Sequence, residues 1–208
     1  MGIFSGILDL LFPPKCTFCR KLLRNGETGM CGKCQLTLPY TEHGGEQSGD
    51  FYEKCISPLY YEDEVREAIL RFKFHEMTAY AGLFGKLIAE CVRENIPYDY
   101  DLISWVPLSA KRLKKRGYDQ AGLLAMAAAL ELGDLAVETL VKHTDVPAQS
   151  GIGGAEKRRA NISGCYRVAD AELIESKRIL LIDDIVTTGS TLSECARVLL
   201  SAGAEEVI

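Results

Sequence analysis

The stretch RILLIDDIVTTGST, residues 178–191, constrains the fold more than any other, because an apolar run ends in two acids and a hydroxyl-rich turn. A continuous apolar run of this length is typical of a strand buried in a parallel sheet. The next segment, STLSECARVLLSAGA, has the apolar spacing of a helix that ends near Gly203. A strand, a tight turn and a helix in this order place the turn at the carboxyl edge of the sheet, where ligands usually bind.

Strands and helices alternate along the rest of the chain, which predicts an α/β fold: a mostly parallel sheet with helices on both faces. YDLISWVPLS predicts a buried strand, and AKRLKKRGYDQAGLLAMAAALEL predicts a long helix with an interruption near Gly117. A further strand is expected at 56–61. The helix after it has four apolar residues on its inward face: Val65, Ile69, Leu70 and Phe72.

Four of the eight cysteines form two C-x2-C pairs separated by eleven residues: Cys16, Cys19, Cys31 and Cys34. Each pair can present two thiolates to one ion from a tight turn, and two pairs complete a tetrahedral site. Disulfides and a redox C-x-x-C are the alternatives, but a redox motif is expected once, beside a βαβ unit. We therefore predict a structural zinc ion, because four cysteine ligands leave no open position for catalysis.

The segment TEHGGEQSGD is polar and glycine-rich and has no apolar periodicity, which is typical of a linker. We predict an N-terminal helix and zinc module at 1–40, a linker at 41–50 and a larger domain at 51–208. EEVI predicts the start of a last strand, which is either truncated or an unusually short edge strand.

The formal net charge of −5 argues against a surface that coats nucleic acid in general. The apolar start MGIFSGILDLLFPP lacks the basic region and cleavage site of a signal peptide. It also meets Asp9 and then two prolines too early for a membrane span. We therefore expect a cytoplasmic protein without a membrane span. An oligomer is compatible with the sequence, which does not define the oligomeric state.

The turn after the apolar strand has the chemistry of a phosphate site. TTGST offers consecutive backbone N–H groups, several hydroxyls and the positive end of the following helix. Asp183 and Asp184 would repel a phosphate, but they are suited to accept hydrogen bonds from adjacent hydroxyls. A surface loop with a capping hydroxyl is the alternative, and it does not explain two consecutive acids after a buried strand. A phosphate with two adjacent hydroxyls describes ribose 5-phosphate.

ILLIDDIVTTGST resembles the phosphoribosyl pyrophosphate (PRPP) signature of type I phosphoribosyltransferases. The whole layout resembles the ComF family, which joins a four-cysteine zinc module to such a domain. RFKFHE, VPLSAKRLKKRGYDQAGLLA and QSGIGGAEKRRANISGCY follow in the family's order. The resemblance implies the type I phosphoribosyltransferase fold, PRPP or ribose 5-phosphate as ligand, and Mg²⁺ bound with PRPP. It also implies transfer of the phosphoribosyl group to an acceptor that the sequence does not identify.

The resemblance implies roles for individual positions. Asp183 and Asp184 would hold the ribose hydroxyls as the catalytic pair, and the segment 144–159 would be a flap over the site. The 5-phosphate would bind Thr187, Thr188, Gly189, Ser190 and Thr191, and the pyrophosphate would face Leu108 and Ser109. The chain departs from the family at Asp119, where asparagine is usual. Before Gln149, where the family tends to carry arginines and a threonine, it has Lys142, Thr144 and Val146.

KRLKKRG contains five basic residues: Lys111, Arg112, Lys114, Lys115 and Arg116. On a helix they spread over much of the circumference, so a solvated face is one interpretation. Beside the turn after Pro107 they could instead bind pyrophosphate or single-stranded DNA. This supports a second hypothesis, a non-catalytic accessory protein of DNA uptake that binds single-stranded DNA or a competence helicase. The family's link to competence favours it.

Overall fold

The computed structural model of the protein describes residues 13–96, 100–144 and 164–208. The predicted N-terminal helix and most of the predicted flap lie outside these ranges. None of the helices within them combines the length and the apolar character that a membrane crossing requires.

A parallel sheet forms the centre of the molecule. Its strands are β1 (Leu102–Trp105), β4 (Arg178–Ile182) and β5 (Glu206–Val207), in the order β1-β4-β5. Two further strands, β2 (Leu140–Lys142) and β3 (Tyr166–Val168), pair with each other in the antiparallel direction. The register aligns the carboxyl ends of β1 and β4, because Trp105 pairs with Ile182. The predicted parallel sheet is confirmed.

The described residues form six α-helices: α1 (Gly32–Thr37), α2 (Asp63–Phe74), α3 (Tyr80–Asn95), α4 (Ala110–Arg116), α5 (Gln120–Leu132) and α6 (Ser190–Ser201). The predicted interruption near Gly117 is confirmed, since Gly117 ends α4 with φ +83° and Asp119 caps α5. The predicted strand at 56–61 is wrong. Cys55 and Leu59 make only isolated bridges there, and Pro58 between them has no N–H for a ladder.

Both faces of the sheet are covered, as β4 makes clear. Its alternate residues Leu180 and Ile182 pack into one buried cluster with Phe84 of α3 and side chains of α5. Ile179 and Leu181 point the other way, into a cluster with α6, β2 and β3. The apolar run of β4 is therefore explained by burial on two sides.

The cysteine-rich module packs directly on α2 and α3. The Phe18 and Phe84 rings meet edge to face with centroids 6.0 Å apart. A guanidinium nitrogen of Arg71 donates to the carbonyl oxygens of Thr17 and Phe18 at 2.9 and 2.8 Å. The predicted linker contains a short 3-10 helix, Glu42–Gly45. The domain boundaries at 40 and 50 stay predictions, and the buried residues of the module are continuous with those of α2 and α3.

Candidate functional site

The four predicted zinc ligands lie together in the N-terminal module. Their sulfur atoms are all within 4.8 Å of one another, and the Sγ atoms of Cys19 and Cys31 are 3.7 Å apart. Zinc–sulfur bonds of about 2.3 Å in a tetrahedron place the sulfurs about 3.8 Å apart, so the cluster has the dimensions of a zinc site. The backbone N–H of Cys31 donates to the Sγ of Cys16 at 3.4 Å, as expected for a thiolate ligand.

The turns that follow β1 and β4 lie side by side at the carboxyl edge of the sheet. The pairing of the two strands continues to this edge, where the N–H of Val106 donates to the carbonyl of Ile182 at 3.0 Å. Asp183 and Asp184 come next on β4, and the turn of Leu108 and Ser109 follows β1. The structure therefore brings together the residues predicted for ribose, phosphate and pyrophosphate.

The turn after β4 forms a small cup at the N-terminus of α6, lined by Asp183 and the stretch 185–192. Gly189 caps the helix with φ +67°, and neither a side-chain cap nor an acidic residue occupies the first turn. Thr187 and Thr188 are exposed, whereas Ser190 is buried and its hydroxyl lies 2.9 Å from that of Thr188. Free N–H groups and a helix dipole in a cup of this kind favour an anion.

The two carboxylates differ in their surroundings. Asp184 forms an ion pair with Lys73, in which Nζ and Oδ1 are 2.9 Å apart and the two side chains are 15% and 16% exposed. Asp183 instead accepts a hydrogen bond from the backbone N–H of Asp184 at 2.8 Å. Burial and the neighbouring charge of Asp184 raise the pKa of Asp183 above its ordinary value.

The turn after β1 is held by Asp119, the position where the family usually has asparagine. One carboxylate oxygen accepts from the N–H of Leu108 at 2.7 Å, and the other accepts from the N–H of Gly122 at 3.1 Å. In asparagine one of these two oxygens would be an NH2 group, which would face an N–H donor instead of accepting from it. Ser109 is buried and caps α4 by accepting from the N–H of Arg112. Asp119 therefore joins the turn of Leu108 to the start of α5.

Two lysines act on the acids from elements that sequence analysis had not placed at the site, Lys73 through an ion pair with Asp184 and Lys142 through its charge on Asp183. Lys73 comes from the end of α2, and Lys142 comes from β2, where it is half-buried. The Nζ of Lys142 donates to the hydroxyl of Tyr166 at 2.8 Å, and burial followed by the charge of Arg112 lowers the pKa of Lys142. One signal for Lys73 was available, since it lies four residues after the inward-facing Ile69.

Tyr52 is a third residue that sequence analysis missed. Its side chain is buried against the cup, its hydroxyl occupies the space that a Cβ atom at Gly189 would take, and its ring also lies against Gly49. A Cβ atom at either glycine would clash with it. The segment directly after the predicted linker therefore contributes a side chain that supports the cup.

The basic residues of α4 divide into two groups. Lys111, Lys114 and Lys115 are exposed, whereas Arg112 and Arg116 are half-buried. Arg116 donates to the side chain of Gln120 at 2.6 Å, and its guanidinium lies 4.9 Å from the ring centroid of Phe74. Phe74 itself is 59% exposed. An accessible aromatic ring therefore lies beside the basic helix.

Comparisons with known proteins match both parts of the chain. A family model of the phosphoribosyl transferase domain matches residues 114–208, and one of the double zinc ribbon domain matches residues 7–59. Competence protein F of Haemophilus influenzae is 29% identical over 220 residues, covering 93% of each chain. DNA utilization protein YhgH of Escherichia coli K12 is 27% identical, covering 95% of this chain and 96% of its own. Competence protein ComFC of Streptococcus pneumoniae is 26% identical, covering 89% and 88%.

Among solved structures, the glutamine PRPP amidotransferase from B. subtilis, complexed with ADP and GMP, is similar at 18% identity with a TM-score of 0.46. The similarity covers 67% of this chain and 29% of that chain, so the chain spans less than a third of the length of this solved protein.

Proposed function

The chain belongs to the ComF family, and from this premise we propose that it binds PRPP with Mg²⁺ at the carboxyl edge of the sheet. One observation carries the proposal: the parallel pairing of β1 and β4 places an acid pair, an anion cup and a second turn next to one another. A ribose with a phosphate on C5 and a diphosphate on C1 has three groups to bind, and these three adjacent surfaces match them.

Each surface has a role in the proposal. The carboxylates of Asp183 and Asp184 accept hydrogen bonds from the two ribose hydroxyls. The backbone N–H groups and hydroxyls from Thr187 to Thr191 bind the 5-phosphate at the positive end of α6. The turn of Leu108 and Ser109 faces the diphosphate, and Mg²⁺ bound with the ligand neutralises part of its charge.

We further propose that the site supports transfer of the phosphoribosyl group. A lone pair of the acceptor forms a bond to C1, the bond from C1 to the diphosphate oxygen breaks, and its electron pair leaves with the diphosphate. The proton of the acceptor passes to solvent or to a neighbouring base. Positive charge develops on the ribose as this bond breaks, so the protein contributes by positioning and by electrostatic stabilisation. No side chain forms a covalent intermediate in this scheme.

Calorimetric titration of the protein with PRPP, with and without Mg²⁺, tests the proposal. Asp183→Asn and Asp184→Asn should each weaken PRPP binding roughly tenfold or more, since a hydrogen bond to a charged acceptor contributes about 1.5–3 kcal/mol. Glu205→Gln is a matched control, because Glu205 is exposed and precedes β5 at the opposite edge of the sheet. Unchanged affinity in the Asp183→Asn/Asp184→Asn double variant would show that the acids have a structural role only.

A second candidate function is binding of single-stranded DNA, and two of the relatives are named for competence and for DNA utilization. The exposed Phe74 beside Arg116 favours it, because an aromatic ring next to cations provides a stacking surface for bases. Charge reversal at Lys114 and Lys115 should weaken binding of a labelled oligonucleotide. It should also reduce the salt dependence by about 0.7 per lost contact. Lys86→Glu, an exposed lysine on α3, is the control.

A further inference from the structure

Lys73 is held in a fixed position next to the proposed ribose site. It is the penultimate residue of α2, whose face of Val65, Ala68, Ile69 and Phe72 is buried. Phe72 is fully buried, and its carbonyl accepts a hydrogen bond from the hydroxyl of Tyr118. The helix end is therefore anchored on both sides, and the lysine stem leaves it towards Asp184.

The covered position of Lys73 is unusual for a lysine. Its side chain is 16% exposed, although a lysine is almost never buried without a partner. Within the described part of the chain, its ammonium group forms an ion pair with Asp184 at 2.9 Å. An ammonium group has three N–H donors. Lys73 can therefore bind a further acceptor while it stays in contact with Asp184.

Positive charge acts on both members of the acid pair. Lys73 contacts Asp184 at 2.9 Å, and the charge of Lys142 on β2 acts on Asp183. This charge is present before any ligand is bound. It favours a ligand with an anionic group close to the acids over one whose only charge lies in the 5-phosphate cup.

The position of that second group follows from the chemistry of ribose. If Asp183 and Asp184 accept hydrogen bonds from the hydroxyls on C2 and C3, then C1 lies one bond from C2, and the diphosphate oxygen attached to C1 lies two bonds from C2. An ammonium group 2.9 Å from Asp184 Oδ1 is then within reach of a group attached to C1.

We propose that Lys73 binds the diphosphate on C1 of the ligand, and that it thereby makes the site select PRPP over ribose 5-phosphate. This inference rests on the proposed function, because it assumes a ribose at Asp183 and Asp184. A purely structural Lys73 would only orient and neutralise Asp184. In that case its loss would weaken every ligand that contacts Asp184 through its ribose, regardless of the group on C1.

Calorimetry with PRPP, ribose 5-phosphate and inorganic pyrophosphate separates the two roles. Lys73→Gln should lower the affinity for PRPP and for pyrophosphate roughly tenfold or more, since a charge-assisted bond is lost. The affinity for ribose 5-phosphate should change less than about threefold, below the loss of one such bond. Lys73→Arg keeps the charge and should preserve most of the preference for PRPP. Lys86→Gln is the matched control and should change none of the three affinities.

A second pair of variants covers the case in which Lys73→Gln leaves Asp184 unpaired and does not fold. Lys73→Gln/Asp184→Asn removes both charges, and it is compared with Asp184→Asn alone. The double variant should lose the preference for PRPP that the single variant keeps. An equal loss for PRPP and ribose 5-phosphate in the lysine variants overturns the role of Lys73 but leaves the proposed function standing. If the parent protein binds neither ligand, both proposals are wrong.

Discussion

The zinc module and the proposed phosphate cup are both suited to bind an ion, but their residues are distributed along the chain in opposite ways. All four zinc ligands lie between Cys16 and Cys34, on two tight turns. The cup itself is one continuous loop, but the side chains around it and around the acid pair belong to α2, β2, α5 and the segment before α2. The spacing of the four cysteines in the sequence is almost enough to predict the zinc site. The loop sequence of the cup predicts only the ligand group that the loop itself contacts.

The largest effect is expected where one local ligand set carries the whole site. Cys31→Ser should reduce bound zinc from one equivalent to well below half, because binding to structural zinc sites contributes about 10–16 kcal/mol. Thermal unfolding should shift to lower temperature for the molecule as a whole, since Phe18 and Arg71 join the module to α2 and α3. Elemental analysis and calorimetry measure both quantities.

Cys55→Ser is the control for the zinc prediction, because Cys55 is a half-buried cysteine outside the cluster. It should retain one equivalent of zinc. Full zinc content in Cys31→Ser, or disulfide bonds among the four cysteines in the purified protein, would contradict the assignment.

The next largest effect is expected at the cup, where support from a distant segment matters. Gly189→Val should weaken PRPP binding on the order of a hundredfold, because φ +67° is costly for a branched residue and its Cβ would clash with the Tyr52 hydroxyl. Gly133→Val is matched in strain, with φ +82° at the end of a helix but open space around it. It should lower stability and leave ligand affinity unchanged.

Tyr52→Phe sharpens the test of distributed support. Removing the hydroxyl in Gly189→Ala/Tyr52→Phe should recover part of the affinity that Gly189→Ala alone loses, because the clash disappears while the backbone strain stays. If the two variants bind PRPP equally weakly, backbone conformation alone sets the cup and the contribution of Tyr52 is wrong.

The same contrast explains what the sequence could predict. The strand β4, the cup and the helix α6 were predictable because burial on both faces produces a continuous apolar run and helix capping is local. The break at Gly117 was predictable for the same reason. Lys73, Lys142 and Tyr52 could not be placed, because their positions depend on how α2, β2 and the 41–61 region pack against β4 and α6. The prediction of a strand at 56–61 was wrong because it gave too little weight to Pro58, which cannot donate to a ladder. Only isolated bridges form in and next to this segment.

The smallest predicted effect concerns the stability of the fold and its dependence on pH through Asp183. Burial and the charge of Asp184 raise the pKa of Asp183, so the folded protein binds this proton more tightly than the unfolded chain does. Its stabilising contribution is therefore complete below the ordinary aspartate pKa of about 4, and it is lost as the pH rises towards the raised value. Above that range, the Asp183 carboxylate costs stability in the folded state.

Asp183→Asn removes that cost, so it should raise the melting temperature at pH 8 by about 2–4 °C, equivalent to about 1 kcal/mol for a chain of this size. The gain should shrink as the pH falls towards 4, where the parent carboxyl is also neutral. Asp170→Asn, an exposed aspartate after β3, should show no such dependence. Scanning calorimetry at several pH values measures the difference.

A variant that melts below its parent at pH 8 would mean that the Asp183 carboxylate is held by interactions stronger than its desolvation. A variant that is more stable but binds PRPP weakly would show that this acid serves the ligand at a cost to the stability of the fold.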